Sequence, residues 1–588
     1  MKITVLFLSL FLFTNLLFSQ PIDKKLKGFD EYVAKAMKDW KVQGLAIAII
    51  QKDKIVFAKG YGLRNVAQKL PVTPETVFAI GSCTKAFTAA SVLLLADDSK
   101  LDPDKPVREY MPDFKLFDAY ASDNMTARDL LCHRSGLPRH DLAWYGADFS
   151  RQELFERLRF LEPTKPFRTD FQYQNLMFVS AGHLVEQISK QKWEDFTKEK
   201  IIKPLEMTYT NFSVTEMPKM PDHSLGYTEK KEKVETMPFR NLDAAAPAGA
   251  INASVKDMAN WVACLINGGR FKGKQILSQS AVNQMQTPYM VIPTALSFPE
   301  TFYNSYGLGW FITSYRGHVR VEHGGNIDGF TASTCFFPKD SVGIVILANM
   351  NGTAINSVLR NDLTDRILGL SSLDWNKRLT EQRAKTLASA EKVKNDKEDS
   401  RKKNTKPSHA LKDYVGKFLN SAYGTMEIVE VKDSLRLKFH GFDVGIRHFH
   451  YDIFEVTDEE DFENAKITFI TDNTGEISQL GIAIEPSLGK NILFDRKNDF
   501  QPTKTMLESY LGNYELGGVI IKVFFKGETT LMLNVPGQPD YELVPVREHE
   551  FDLKTLKGYS VVFKTDDRKQ TTEVTFRQPN GNFTAKKK

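Results

Sequence analysis

The chain has 588 residues, 42% of them apolar and 26% charged, a composition of folded globular protein that excludes a disordered or fibrous chain. At about 150 residues per domain, the length implies three or four domains. The formal charge of +5 comes from 78 basic and 73 acidic residues, but residues 377–406 alone hold 11 Lys/Arg against 5 Asp/Glu, so one segment carries the excess and no general affinity for nucleic acid follows.

The N-terminus pairs Lys2 with an apolar run from Val5 to Phe18 and a small residue, Ser19. That is the pattern of a secretory signal peptide over 1–19, and it predicts a periplasmic or secreted protein. The run is shorter than the roughly 20 residues a membrane-spanning helix needs. Cys83, Cys132, Cys264 and Cys335 are scattered and form no metal-spaced pair. They are too few for a disulfide framework, and neither a metal nor a cofactor is expected.

Residues 21–45 read as an amphipathic helix with Leu26, Phe29, Tyr32, Val33 and Met37 on one face. Strands over 44–50 and 54–59 follow, joined by a turn at 51–53. The stretch around which the chain is organised comes next: Phe78-Ala-Ile-Gly81-Ser82-Cys83-Thr84-Lys85, running into an Ala- and Leu-rich helix that ends near Ala96. Ser82 would stand at the helix start, where free N–H groups and the positive dipole end can hold an oxyanion. Lys85, three residues on, would share its face. A serine hydroxyl needs a base to become a nucleophile. A lysine serves only if burial or a neighbouring charge lowers its pKa. The spacing alone is weak evidence, because Ser-x-x-Lys recurs at Ser389, Ser400 and Ser487.

A loop-rich region over 99–140 contains Thr126 and Asp129, a capping-box pair that predicts a short helix ended by Gly136. His133 within it is read as structural. Tyr173 and Asn175 would sit in a loop just before a helix over 176–188, where a phenol can relay protons and an amide can orient a substrate or the lysine. Residues 213–245 look irregular. Ala248–Ser254 leads into a helix over 255–266, closed by Asn267-Gly-Gly269. Strands are expected over 319–323, 328–336 and 342–347, with His323-Gly324-Gly325-Asn326 in a glycine-rich connection between the first two. The glycines would let a substrate approach the backbone closely, and the Asn326 amide could be an oxyanion donor opposite that of Ser82.

In combination, Ser82-Cys-Thr-Lys85, Tyr173-Gln-Asn175 and His323-Gly-Gly325 resemble the serine β-lactamase-like hydrolases: class C β-lactamases, D-alanyl-D-alanine carboxypeptidases and related esterases and peptidases. Supporting stretches are His133-Arg-Ser-Gly-Leu-Pro138, Pro247-Ala-Gly249 and Tyr306-Gly-Leu-Gly-Trp310. The resemblance covers roughly residues 25–365. It implies an α+β fold, an antiparallel sheet flanked by helices plus an all-helical subdomain, over 20–370. It makes Ser82 the acylated nucleophile, Lys85 and Tyr173 the proton-transfer pair, and Asn175 the orienting amide. His323 would take the place of the family's strand lysine as a fourth catalytic residue, and Gly324, Gly325 and Asn326 would line the substrate edge and oxyanion site. The family's third motif is often Lys-Thr-Gly or Lys-Ser-Gly, so a fixed cation is missing here, which argues against efficient penicillin hydrolysis.

Residues 371–407 form a charged, helical bridge. Beyond it, Leu411–Phe418 and Leu507–Tyr514 echo each other at a spacing of 96 residues, each ahead of short alternating strands. This predicts two small all-β barrel-like domains, 408–500 and 501–588, which resemble the lipocalin-like modules of some related peptidases. The expected function is acyl transfer to water on small peptides or amides, D-amino-acid-containing ones in particular. A carboxylesterase or weak β-lactamase is the near alternative, and a non-catalytic binding protein that keeps the fold the distant one. Expected partners are such substrates, cell-wall fragments among them, with homo-oligomerisation through the C-terminal domains left open.

Overall fold

The computed structural model describes residues 22–293, 298–399, 401–457, 462, 465–497, 500–556 and 558–588. The expected signal peptide lies outside the described residues.

Strand β1 (Gly44–Gln51) explains the architecture of the first domain. Leu45 through Ile50 are all fully buried. Side chains alternate across a strand, so an unbroken apolar run requires cover on both faces. Leu45, Ile47 and Ile49 join one core, with helix α1 (Phe29–Asp39) and a helix over Ile355–Leu368, while Ala46, Ala48 and Ile50 join the other. Around β1 the sheet has nine strands. With β2 (Lys54–Asn65), β3 (Leu70–Pro71), β4 (Met290–Val291), β5 (Thr301–Tyr306), β6 (Phe311–Tyr315), β7 (His318–Ile327), β8 (Phe330–Phe337) and β9 (Val342–Ala348), the order is β4-β5-β6-β7-β8-β9-β1-β2-β3, antiparallel throughout. The first strand therefore pairs with the last, Ala46 opposite Leu347. Most of the chain between 72 and 289 is an excursion that covers the face of Ala46, Ala48 and Ile50, while Tyr227 of the later hairpin joins the core on the α1 face.

That excursion is built on helix α2 (Lys85–Asp97), whose residues are buried on nearly every side. A helix apolar all round belongs in a core. It is packed by α3 (Asn175–Ser189) and by α4 (Val255–Ile266), from which Trp261 stacks on Phe87 at 4.6 Å between ring centroids.

Several expectations are corrected. The N-terminal helix is two pieces, Ile22–Lys25 and α1, divided at Gly28, whose φ of 75° breaks helical geometry. The Thr126–Asp129 capping box forms, but its helix ends at Leu130, because His133 adopts a left-handed φ of 60° well before Gly136. The 213–245 segment is ordered, with a hairpin of Gly226–Lys230 and Lys233–Met237. No glycine-rich loop separates the two strands after 318. The strand runs on through His323–Ile327, and Asp328-Gly329 alone makes the turn.

The charged bridge is helical over Trp375–Asp399, and its first half is docked rather than free. Trp375 is buried and donates to Asp365 Oδ2 at 2.8 Å, and Arg378 pairs with Glu300. Beyond it lie two closed eight-stranded antiparallel barrels, spanning Gly416–Lys497 and Gly512–Lys587. The internal echo has a structural meaning. Each copy is a short helix entering a first strand, and Tyr414 and Tyr510 are fully buried against the rings of their barrels. The first barrel shares one continuous core with the helical side of the first domain, whereas the second has its own.

Candidate active site

Ser82 lies in a tight turn, Gly81–Thr84, that feeds α2, and Lys85 is the first residue of that helix. Gly81 has φ 50°, a conformation that favours glycine. The turn is pressed against β7. A Cβ on Gly325 would sit 1.9 Å from the Ile80 carbonyl oxygen and 3.1 Å from the Ser82 nitrogen, and one on Gly81 would sit 3.0 Å from the Asn326 nitrogen. The backbone nitrogens of Ser82 and Asn326 are thus brought to one spot. Asn326's side-chain oxygen is occupied elsewhere, accepting from Gly352 N–H at 2.8 Å.

Lys85 is fully buried. Its Nζ is 3.0 Å from Ser82 Oγ, 2.8 Å from Asn175 Oδ1 and 2.8 Å from the Ala248 carbonyl. Burial, reinforced by the Arg139 charge, pushes its pKa well below the usual lysine value. Asn175 opens α3 rather than preceding it, and it holds the lysine by its carbonyl while its amide donates to Asp141 Oδ1 at 2.9 Å. Gln174 caps that helix, its side chain accepting from Leu176 N–H at 2.7 Å. Tyr173 stands over the lysine, with Nζ 4.9 Å from the ring centroid. Burial raises its pKa, and a hydrogen bond with Ser82 opposes the rise.

The His133–Pro138 stretch is the mould for the Tyr173–Asn175 turn. His133 Nδ1 accepts from Gln174 N–H at 3.0 Å, and the Pro138 carbonyl accepts from Gln174 Nε2 at 2.6 Å. The His133 ring lies 4.1 Å from that of Tyr173. Arg134 and Arg168 neutralise the buried Asp129 behind it. His133 is therefore structural, as read from the sequence.

His323 is buried below the site, 2% exposed, with its ring among Tyr173, Tyr306 and Phe311. Its Nδ1–H donates to the Gly324 carbonyl at 2.6 Å, so Nε2 accepts from the Tyr306 hydroxyl at 2.9 Å. Those contacts accommodate a neutral imidazole. Burial, with Lys85 nearby, pushes its pKa down to about 3. Gly324 and Asn326 face outward, on the opposite side of the strand from the His323 ring.

Ser82, Asn175 and Asn326 line a cleft of about 440 Å³ together with Arg139, Asp141, Tyr145, Gly249, Asp328 and, from the first barrel, Ile484, Glu485 and Pro486. Arg139, Asp141 and Glu485 were missed in the sequence. They are charged loop residues, and no local pattern sets them apart from other loop charges.

Residues 29–367 match the family model described as Beta-lactamase. The chain belongs to that family. Residues 400–496 match a Domain of unknown function (DUF3471), which coincides with the first barrel. Unguisins hydrolase ungD' of Aspergillus campestris is 31% identical over 375 residues, covering 61% of this chain and 68% of that one. Protein flp of Staphylococcus aureus is 27% identical over 337 residues, 56% of this chain and 64% of that one. Among solved structures, the octameric penicillin-binding protein homologue from Pyrococcus abyssi aligns over 80% of this chain and 100% of its own, with a TM-score of 0.53 and 24% identity, a likeness of fold.

Proposed function

We propose that the protein is an exported serine hydrolase that works through an acyl-enzyme formed on Ser82. The contact set of Lys85 carries this reading. A neutral amine has two N–H donors and one lone pair. Asn175 Oδ1 and the Ala248 carbonyl can take both donors, which leaves the lone pair for the Ser82 hydroxyl proton at 3.0 Å. Ser82 then attacks the substrate carbonyl, and the backbone N–H groups of Ser82 and Asn326 receive the charge that develops on its oxygen. Tyr173, over the lysine, relays the proton to the leaving group. Water reverses the sequence and frees the acid. His323 is neutral and buried in this scheme, and its ring packs beside that of Tyr173 at 6.2 Å between centroids rather than taking part in proton transfer.

We infer small peptides or amides, D-amino-acid-containing ones among them, as substrates. Among the described cleft-lining residues Arg139 is the single cation, and it is paired with Asp141 at 2.6 Å. With His323 neutral, no free cation stands on β7 for a lactam carboxylate. This favours peptides, amides or esters over penicillins, and the name unguisins hydrolase of a relative favours hydrolysis.

Intact-protein mass after exposure to a fluorophosphonate tests the reading. One adduct is expected in the wild type and none in Ser82→Ala. Labelling should rise with pH, because protonation of Lys85 removes the base, and Lys85→Ala should slow it by about 10²–10⁴-fold. Equal labelling of wild type and Ser82→Ala would sink the assignment.

A further inference from the structure

The first barrel forms part of the cleft itself. Its Ile484–Pro486 loop is one wall of the cavity that Ser82 lines, and Glu485 is only 7% exposed there. Oε2 of Glu485 accepts from the His140 backbone N–H at 2.7 Å, and Oε1 accepts from the Ser487 hydroxyl at 2.5 Å. Both donors are neutral. The His140 ring adds no charge: its Nε2–H donates to the Glu162 carbonyl at 3.0 Å, its Nδ1 accepts from the Tyr423 hydroxyl at 2.6 Å, and burial lowers its pKa.

The neighbouring cations are committed elsewhere. Arg139 is on Asp141, Arg240 donates to Tyr145 and faces Asp328, and Lys490, on the same loop, pairs with Glu162. Among the described residues none forms an ion pair with Glu485. A carboxylate has about four acceptor sites, and two remain open here. A buried carboxylate without a cation is costly, and proteins pair such groups or give them a ligand. Asp141, Asp328 and Glu485 together make the cleft acidic. Its field attracts cations and repels the carboxylate that a penicillin carries.

We propose that Glu485, supplied by the first barrel, binds the ammonium group of the substrate, so that the preferred substrates are peptides, amides or esters with a free amine. This rests on the hydrolase reading above and narrows its substrate class. The barrel thereby becomes a working part of the site, holding the specificity-determining charge while the first domain holds the chemistry.

Binding can be read apart from turnover. Calorimetry on full-length Ser82→Ala should find D- or L-alaninamide bound at least about tenfold more tightly than the N-acetylated amide, the gain expected of one charge-assisted hydrogen bond. Adding Glu485→Gln, which keeps the acceptor but removes the charge, should bring that ratio close to one. In turnover, the wild-type preference in kcat/KM for alanine p-nitroanilide over its N-acetyl derivative should fall by the same factor in Glu485→Gln. A wild-type ratio near one, or a ratio that persists in Glu485→Gln, overturns the proposal. The wild-type ratio decides even where the variant folds poorly. Ser82-dependent turnover of p-nitrophenyl acetate tests the hydrolase reading separately. Its absence with the amine preference intact would sink that reading and leave the ammonium site standing.

Discussion

Lys85 and His323 are both basic side chains whose pKa burial lowers, and the difference between them lies in their contacts. Lys85 reaches Ser82 directly, whereas the two ring nitrogens of His323 are used by Gly324 and Tyr306. His323 therefore bears on stability. Its pKa falls from 6.5 unfolded to about 3 folded, so between those values the unfolded chain binds the extra proton. Stability is unaffected above the unfolded value and is lost as pH falls below it, by up to about 1.4 kcal/mol per pH unit. His323→Gln should flatten the acid limb by about one proton, read from unfolding midpoints between about pH 4 and about pH 6. An unchanged limb would mean that the ring titrates normally.

At the scale of elements, the site is the meeting of a helix start with a strand edge. The Ser82 turn and β7 come from opposite ends of the domain, and small residues let them touch. Gly325 has no room for a side chain, since its Cβ would lie 1.9 Å from the Ile80 oxygen. Gly325→Ala should force the strand away from the Ser82 turn, costing about 1–3 kcal/mol. It should also lower Ser82 labelling more than Gly324→Ala does, because Gly324 faces open space with its nearest neighbour at 3.6 Å. Equal labelling of the two variants would show that the close approach is unimportant. The docked half of the Trp375–Asp399 helix belongs at this scale too, because Trp375 closes the core on the far face of the sheet.

In the whole molecule, the two barrels are chain echoes with different attachments. The first shares the core of the hydrolase domain. Phe442 packs on Tyr145, the Tyr423 hydroxyl meets His140, and Gly441 N–H donates to the Gly146 carbonyl at 3.0 Å. The second is closed on its own core. Cooperative units follow contiguous cores. Calorimetry should therefore resolve two transitions, one for the hydrolase domain with the first barrel and one for the second barrel. A first barrel that melts alone would contradict this division.

Local chemistry wrote much of this protein into its sequence. The apolar run of β1, the buried helix after Ser82, the i,i+3 placement of Lys85 and the repeated helix-to-strand entry of the barrels all depend on neighbours in the chain. The turn at Gly81 and the capping box at Thr126 do so as well. What only the tertiary structure decided involves partners far apart in sequence. The carbonyl of Ala248 completes the contacts of Lys85. β7 continues straight through His323-Gly-Gly because β8 pairs with it as far as Ile327, although β6 pairs with it only as far as Glu322. Asp141 holds Asn175, and Glu485 reaches the cleft from another domain. A charge on a loop carries no periodicity, so its role appears only once folding has chosen what it faces.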